Sequence, residues 1–427
     1  MMGLKQEGQA ALFYEFDLDQ HVPADHILRR IDQFVDLSDI RSLLAPHYSS
    51  TGRPSIDPEL MFRMLLVVYC MGIRSERLLC DEVHLNLAYR WFCRLDLNDT
   101  IPDHSTFSKN RHGRFRKSDL FRHLFDTVLA RCIAEGLVGG EGFGVDASLI
   151  KADASRYTKV ELADWSVSEQ VSRATQEYLD TLDDAAFGGS TPVQPKAISK
   201  ADPAARYTGA NGDRPFFAYS TNYLVDLDNA VIVDVEATAP SRQAEVQVTK
   251  DMILRTRERF DLYPEKLVAD TAYGSAPMLG WLVEEEGIEP YIPVIDKSER
   301  KDGTFSRDDF VFDHETDSYT CPNSKQLVQF RRTYKKPRSG VDKQGLMRYR
   351  ASKKDCEHCP LKGRCCPKVP ARKILRSVHE GARQMARDIT KTDAYVTASC
   401  ARKKVEMLFA HLKRIMGLDR LRLRGPN

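Results

Sequence analysis

Apolar residues in the first third of the chain recur at the spacing of amphipathic helices. Asp57-Pro58 has the form of a helix start, a capping carboxylate followed by proline, and it leads into the apolar run ELMFRMLLVVYCMG. A second stripe, beginning at Leu120, predicts a longer helix that ends near Gly136. Between them, the run HSTFSKNRHGRFR is basic and polar. Short helices with an exposed basic run are typical of a helical DNA-binding domain, although bundles without that role are commoner. We assign this domain to residues 1–136.

After residue 140 the spacing of hydrophobic residues changes from that of helices to that of strands. GFGVDASLI, residues 142–150, predicts a short buried strand with Asp146 at its centre. Two strands at 217–227 and 230–236 are predicted to be joined by a two-residue turn, Asp228-Asn229. The elements that follow are a helix at 242–259, the strand KLVAD ending on Asp270, a helix from about 275 and a strand at 290–295. This order predicts a mixed α/β layer fold.

The last third of the chain predicts a large insertion followed by two helices. Residues 297–369 are basic and contain five cysteines, and helices are predicted over 371–388 and 393–416. The α/β domain therefore spans 140–296, with an acidic insertion at about 160–215, and is completed by 370–427. The basic, cysteine-rich insertion at 297–369 separates its two parts.

Length and composition narrow the class of protein. The 427 residues are enough for two to four domains at roughly 100–200 residues each. A content of 42% hydrophobic and 29% charged residues excludes a disordered chain, a collagen and a small disulfide scaffold. The longest uncharged run in the N-terminal third, 64–73, is about half the length that spans a bilayer, and the N-terminus lacks a signal-peptide pattern. We expect a cytoplasmic protein with no membrane segment.

Charge is nearly balanced in total but unevenly distributed. The chain has 63 Lys and Arg against 61 Asp and Glu. Residues 331–375 contain 15 basic and 3 acidic residues, and residues 401–427 contain 8 and 2, whereas residues 160–189 contain 1 and 7. Two basic segments in a neutral chain indicate a polyanion-binding surface. Ordinary solvated faces explain this pattern equally well.

Two carboxylates stand where apolar residues are expected. Asp146 interrupts an apolar strand, and Asp270 ends another strand just before TAYG. Carboxylates at strand ends of an open α/β sheet point into the crevice where ligands bind. A buried carboxylate also requires a cation or hydrogen bonds. The alternative for Asp270 is that it only caps the following turn.

The last predicted helix, ARKKVEMLFAHLKRIMGL, carries a third acid between two bases. Arg402, Glu406 and Lys413 share one face because they are separated by four and seven residues. An ordinary surface ladder of salt bridges is the simpler explanation of this pattern when it is considered alone.

Taken in order, these segments resemble the DDE-type transposases of bacterial insertion sequences. The group with an N-terminal helical domain, an RNase H-like catalytic domain and a zinc-binding insertion is the most similar. In the helical part the resemblance rests on GRPSIDPELMFRMLLV, GIRSERLLCDEV and DLNDTIPDHSTFSKNR. In the catalytic part it rests on GVDASLIKADAS, TNYLVDLDNAVIVDVEAT, VADTAYGS and RKKVEMLFAHLKRIMGL. It implies an RNase H-like mixed α/β sheet flanked by helices, preceded by an all-α domain and carrying a zinc-ribbon-like insertion.

The resemblance also implies the chemistry and the catalytic residues. Asp146, Asp270 and Glu406 would form the acidic triad and hold two divalent cations, Mg²⁺ or, as a substitute, Mn²⁺. Arg402 and Lys413 match the family's Tyr–Arg–Glu–Lys signature and would hold the DNA backbone. The expected reaction is cleavage at the element's ends and transfer of the freed 3′-hydroxyl into double-stranded target DNA. A homodimer acting on the nucleoid is implied, because two ends must be joined together.

The late cysteines predict a structural zinc site. A CxxC pair, one cysteine after it and one before a basic stretch suit a tetrahedral Zn²⁺. The predicted ligands are Cys321, Cys356, Cys359 and Cys365. Cys366 is then spare, and His358 is an alternative ligand. Unligated surface thiols are the other interpretation.

Basic residues outside the triad are candidates for contacting DNA phosphates. They are Arg331, Arg332, Lys335 and Lys336 in the insertion, and Lys109 and Arg111 in the helical domain. No phosphate-cradling GxxxxGK[ST] motif occurs, so we expect no nucleotide cofactor.

Two features depart from the family pattern. Ser399 stands at the signature's tyrosine position, and the chain stops at LRLRGPN where relatives usually continue. A truncated or domesticated, catalytically inactive DNA-binding protein is therefore an alternative to the transposase. A metal-dependent nuclease of the same fold and a scaffold that binds no nucleic acid are the others.

Overall fold

The computed structural model describes residues 16–49, 51–52, 55–73, 75–111, 115, 118–161, 197–199, 202, 205–209, 214–296, 302–329, 340–342 and 344–421. Most of the predicted acidic insertion lies outside the described residues. The predicted phosphate contacts Arg331, Arg332, Lys335 and Lys336 also lie outside them.

The N-terminal part of the described chain is helical. Its helices are α1 (Leu18–His21), α2 (Ile27–Phe34), α3 (Ile40–Leu44), α4 (Pro58–Cys70), α5 (Glu76–Leu85), α6 (Leu87–Phe92), α7 (His104–Asn110) and α8 (Leu120–Ala134). Asp57 caps α4 by accepting a hydrogen bond from the backbone N–H of Glu59 at 3.2 Å, as its position before a proline predicts. Phe62, Phe92 and Phe107 are buried in one shared core, so these short helices stabilise one another.

A six-stranded mixed sheet forms the centre of the α/β part. The strands up to residue 291 are β1 (Gly142–Lys151), β2 (Lys159–Glu161), β3 (Ala197–Ser199), β4 (Arg206–Thr208), β5 (Phe216–Asp226), β6 (Ile232–Thr238), β7 (Lys266–Val268) and β8 (Glu289–Tyr291). The order is β4-β5-β1-β7-β8, with β6 also paired to β5, while β2 and β3 pair with each other. β1 runs antiparallel to β5 and parallel to β7, so the predicted mixed sheet is confirmed.

The connection between β5 and β6 differs from the prediction. In place of a two-residue turn at Asp228-Asn229, the chain leaves β5 after Asp226, passes through Ala230 at φ 59° and enters β6 at Ile232. The carboxylate of Asp226 accepts hydrogen bonds from the backbone N–H groups of Asp228 and Asn229, at 3.1 and 3.4 Å. This side chain supplies the bonds that a tight turn would otherwise make, which allows the longer loop.

Helices cover both faces of the central sheet. The remaining helices are α9 (Arg242–Phe260), α10 (Ala276–Gly280), α11 (Lys353–Glu357), α12 (Lys362–Cys365), α13 (Glu380–Ile389) and α14 (Asp393–Arg414). α9 and α10 share a core with Phe143 and Val145 of β1. On the opposite face, Val405 of α14 packs with Tyr223 and Val225 of β5. Among the helices that the structure describes, none has both the length and the apolar character needed to cross a membrane.

The cysteine-rich insertion forms its own antiparallel sheet. Its strands are β9 (Val311–Asp313), β10 (Ser318–Thr320), β11 (Gln326–Gln329), β12 (Leu346–Ala351) and β13 (Lys373–Ser377), in the order β13-β12-β11-β10-β9. The helix predicted over 371–388 is therefore wrong in its first part, which is β13. Ile374 is buried and Leu375 is exposed, and this alternation is the period of a strand. The sheet extends beyond residue 369, the predicted end of the insertion.

Candidate active site

Strand β1 directs Asp146 toward the helix that carries Glu406. Alternate residues of a strand face opposite sides of the sheet, and Phe143 and Val145 face the core beneath α9. Asp146 therefore faces α14, as Gly144 does. A Cβ on Gly144 would lie 3.2 Å from a methyl group of Val405, so this glycine lets α14 pack closely against β1.

Asp270 follows β7, the strand next to β1, and is level with Asp146. The parallel pairing of β1 with β7 ends at Gly144 and Val268, and the two acids stand two residues further along their chains. Asp270 also caps a 3-10 turn at 271–273 by accepting a hydrogen bond from the N–H of Ala272 at 2.8 Å. The capping role predicted as an alternative is therefore present, and it fixes the carboxylate at the end of the strand.

The position of this turn requires a glycine at residue 274. A Cβ on Gly274 would overlap the backbone carbonyl of Pro293, so only glycine allows the turn to approach the segment after β8. The carbonyl of Gly274 accepts a hydrogen bond from the N–H of Ile295 at 2.9 Å. The turn that carries Asp270 is thus fixed by backbone contacts on both sides.

Arg402 connects two of the three acids. Its Nη1 donates to Asp146 Oδ2 at 3.2 Å and its Nη2 donates to Glu406 Oε1 at 3.3 Å. The second contact is the i,i+4 salt bridge predicted as the simpler interpretation, and the first joins α14 to the central strand. Glu406 is more than half exposed, whereas the side chains of Arg402 and Asp146 are about three-quarters buried.

The pKa of Asp146 is influenced by both other acids. Burial raises the pKa of the Asp146 carboxyl, and the negative charges of Asp270 and Glu406 raise it further. The N–H of Ala147 and the guanidinium of Arg402 act in the opposite direction. Within the described residues, no group of three or more His, Cys, Asp or Glu side chains is arranged closely enough to hold a metal ion. Among the described residues, Arg402 is the basic side chain that pairs with Asp146 and Glu406.

The other predicted DNA-binding residues lie elsewhere. Lys413 lies near Lys151 and Asp419, and burial lowers the pKa of its ammonium group. Arg111 contacts Glu76 at 3.3 Å and the hydroxyl of Tyr69 at 2.8 Å, so it holds helices of the N-terminal part together. Lys109 on α7 is exposed.

All five late cysteines line one small cavity of about 20 Å³. That volume is enough for a single water-sized ion. Burial raises the pKa of Cys356, and it raises that of Cys365 to about 12, so these thiols are neutral unless a cation stabilises the thiolates. Cys366, predicted to be spare, is buried in the same cavity, whereas His358 is not among the lining residues. The zinc site stays a prediction.

Sequence reasoning missed the buried hydroxyl of Tyr273. This side chain is 2% exposed, and the nearest hydrogen-bonding group to its oxygen, the hydroxyl of Thr249, does not form a hydrogen bond of good geometry with it. Burial raises its pKa well above the ordinary tyrosine value, and the charges of Glu245, Asp146 and Asp270 add to the effect. Its position three residues after Asp270 was the only signal in the sequence. Tyr273 therefore lies beside the acidic centre.

Comparison with known families identifies the chain. Residues 16–113 match a transposase domain (DUF772), and residues 145–427, well over half of the chain, match the transposase DDE domain. The chain belongs to the DDE transposases. The predicted mixed α/β fold with an N-terminal helical part is confirmed, and so is the prediction of a DNA transposase.

A similar solved structure is also a transposase. It is a cryo-EM structure of the piggyBac transposase synaptic complex with hairpin DNA, at 10% identity and a TM-score of 0.28. The match covers 91% of this DDE transposase and 71% of the piggyBac chain. At so low a TM-score, it supports no inference about this protein.

Proposed function

We propose that this transposase cleaves DNA at the ends of an insertion sequence and transfers the freed 3′-hydroxyl into target DNA. The observation that carries the proposal is that Arg402 joins Asp146 on β1 to Glu406 on α14, while Asp270 follows β7, the strand paired with β1. Cleavage and transfer are both in-line displacements at phosphorus, so one site can serve both steps.

We infer that the three carboxylates would hold two divalent cations, Mg²⁺ or Mn²⁺, after moving closer together than they lie in the present conformation. The donor atoms are all carboxylate oxygens, which suit hard cations. Burial is the main cause of the raised pKa of Asp146, with a smaller contribution from the charges of Asp270 and Glu406, and bound cations would stabilise the ionised form against both effects. When bound, such cations activate the attacking oxygen and stabilise the leaving oxygen.

In this proposal Arg402 binds two of the acids in one state and a DNA phosphate in another. In the present conformation its guanidinium neutralises Asp146 and Glu406. If Asp146 and Glu406 were held by metal instead, the Arg402 guanidinium would be free to bind a DNA phosphate through two parallel N–H groups. Lys413 lies about three turns beyond Arg402 on α14 and would contact the backbone farther from the reacting phosphate. Lys109 and the basic segment from Arg331 to Lys336 are proposed to contact phosphates outside the catalytic site.

A structural zinc in the insertion is part of the proposal. The four predicted ligands are Cys321, Cys356, Cys359 and Cys365. Their support is that they line one ion-sized cavity and that burial disfavours an unligated thiolate at Cys356 and at Cys365. Cys366 is an alternative to Cys365, because both are buried in that cavity.

The active assembly is proposed to be a homodimer on nucleoid DNA. Two element ends must be cut and joined in one event, which requires two active sites or two binding sites held together. Two subunits related by symmetry would supply them.

A cleavage and strand-transfer assay tests the proposal. It uses the source element's own end sequence with Mg²⁺ and compares the wild type with Asp146→Asn, Asp270→Asn and Glu406→Gln. Joined products that vanish in all three variants support it. Cut but unjoined DNA would identify a nuclease instead. Salt-dependent binding with no products, unchanged by the substitutions, would identify an inactive DNA-binding protein.

A further inference from the structure

Helix α14 is held against the central sheet by more than the pair between Arg402 and Asp146. A lysine on the same helix, Lys404, donates from its Nζ to the backbone carbonyls of Leu227 and Asp228, each at 2.8 Å. These carbonyls belong to the loop that leaves β5. Both bonds have a charged donor, which makes them stronger than hydrogen bonds between neutral groups.

This loop lies beside the beginning of β1, because β5 ends where β1 begins in their antiparallel pair. The N–H of Leu227 donates to the carbonyl of Gly142 at 3.0 Å. Arg402 contacts the same strand four residues further on, at Asp146. The contacts of Arg402 and of Lys404 therefore hold α14 at two separate points along β1.

The loop that Lys404 contacts is itself anchored by a buried carboxylate. Asp226 is fully buried, and it accepts hydrogen bonds from the N–H groups of Gly139 and Gly140 at 3.1 and 3.0 Å. It also accepts the two bonds from within the loop that were described above. One side chain thus ties the loop to the segment that precedes β1. A lysine bound to this loop is bound to a fixed part of the sheet.

The direction of Lys404 distinguishes two roles for this residue. A lysine close to Glu406 on a basic helix is a candidate phosphate contact. At 3.6 residues per turn, however, residues 404 and 406 point about 200° apart around α14. The ammonium group of Lys404 therefore faces the loop after β5, not the side of the helix that carries Glu406.

We propose that Lys404 is a positioning residue for Glu406. The inference rests on the proposed function, in which Arg402 leaves Asp146 to bind a DNA phosphate. That change removes one of the two polar contacts between α14 and the sheet around β1. The contact of Lys404 involves neither metal nor DNA. It therefore persists and keeps α14, and with it Glu406, docked on the sheet during the reaction.

The test compares Lys404→Met with the wild type, using the full-length protein and the source element's end sequence with Mg²⁺. Methionine keeps a long unbranched chain but cannot donate a hydrogen bond. At saturating DNA, the single-turnover rate of cleavage should fall roughly ten- to hundredfold, the range expected for loss of a hydrogen bond from a charged group. The affinity for DNA without divalent cations, and its salt dependence, should stay unchanged. Lys404→Arg should restore most of the rate, because a guanidinium can donate to both carbonyls.

Lys403→Met is the matched control, since Lys403 is the exposed neighbour of Lys404 on α14. It should keep the wild-type rate at saturating DNA. Hydrogen exchange of the α14 amides gives a readout that does not depend on cleavage, and it should be faster in Lys404→Met but not in Lys403→Met. Thermal unfolding shows whether Lys404→Met remains folded, and Lys404→Gln provides the test if it does not.

Two results would overturn the positioning role while the wild type still cuts DNA. The first is normal cleavage by Lys404→Met at saturating DNA with weaker binding and a salt slope reduced by about one, which would identify a phosphate contact. The second is unchanged cleavage together with unchanged hydrogen exchange. Both leave the proposed function standing. A wild type that cuts no DNA overturns the proposed function and the positioning role together.

Discussion

Arg402 donates a hydrogen bond to Asp146 across 256 residues of sequence, while its other terminal nitrogen contacts Glu406. One side chain thus neutralises two of the three acids proposed to hold metal. An acidic centre with a built-in counter-charge tolerates the absence of metal better than bare carboxylates, because burial penalises uncompensated charge. Binding of divalent cations must then compete with an internal arginine.

Arg402→Ala is therefore expected to raise the affinity of the DNA-free protein for Mn²⁺, by up to about tenfold. Removal of the guanidinium leaves Asp146 and Glu406 more negative, which favours a cation. The same variant should lose activity, since Arg402 no longer reaches the DNA. Calorimetric titration with Mn²⁺ measures the first effect. Lys403→Ala, an exposed neighbour on α14, serves as the control, and an unchanged or weaker affinity in Arg402→Ala would show that Arg402 does not compete with metal.

Asp146→Asn is expected to stabilise the metal-free protein at neutral pH. The folded-state pKa of Asp146 is raised above its unfolded value, so the folded protein holds this proton more tightly than the unfolded chain. The stability that this group contributes is complete below the unfolded pKa and is lost as pH rises through the folded pKa. The asparagine avoids that loss, which should be of the order of 1 kcal/mol.

Urea unfolding with a chelator, at several pH values, measures this difference. The gain should be present at neutral pH and absent in strong acid. Asp153→Asn is the matched control, because its carboxylate contacts Arg420 at 3.4 Å and lies outside the acidic centre. A wild type that is the more stable protein at neutral pH would contradict the prediction.

The positions of the acids could be predicted from sequence because each interrupts a recognisable local pattern. Asp146 breaks an apolar strand, Asp270 ends one, and Glu406 lies beside an apolar stripe. The contact between Arg402 and Asp146 could not be predicted, because it depends on how α14 packs on β1 through Gly144. Tyr273 was missed for the same reason, since burial of a hydroxyl is decided by tertiary contacts.

Two predictions of local structure were wrong for a common physical reason. The sequence 371–388 was interpreted as one helix, but its first residues pair with β12 and become the edge strand β13. Short segments obtain their secondary structure from the neighbour they pack against rather than from propensity. The turn after β5 was predicted too short because the side chain of Asp226, not the backbone alone, organises that loop.

The insertion is expected to contain one zinc ion per chain, measurable by elemental analysis of purified protein. Cys356→Ser and Cys359→Ser should each lose the zinc and lower the melting temperature. In so small a sheet, metal binding provides stability that a larger domain obtains from its hydrophobic core. Cys400→Ser is the control, since Cys400 is exposed on α14 and outside the cysteine cavity. Wild-type protein without zinc, folded and insensitive to chelators, would support the unligated interpretation.

Gly274→Ala is expected to destabilise the protein by about 2–4 kcal/mol and to abolish activity. The added Cβ meets the backbone carbonyl of Pro293, which cannot rotate away as a flexible side chain would. Relief of that clash must displace the turn that carries Asp270, so catalysis should fall further than stability alone explains. Gly381→Ala on α13 is the matched control: its added Cβ meets no atom within 4 Å, and in a helix it should be neutral or stabilising by up to about 1 kcal/mol. Denaturant unfolding and the strand-transfer assay, run on both variants, separate the two effects, and a Gly274→Ala protein with wild-type stability would show that this turn is not held by its contact with Pro293.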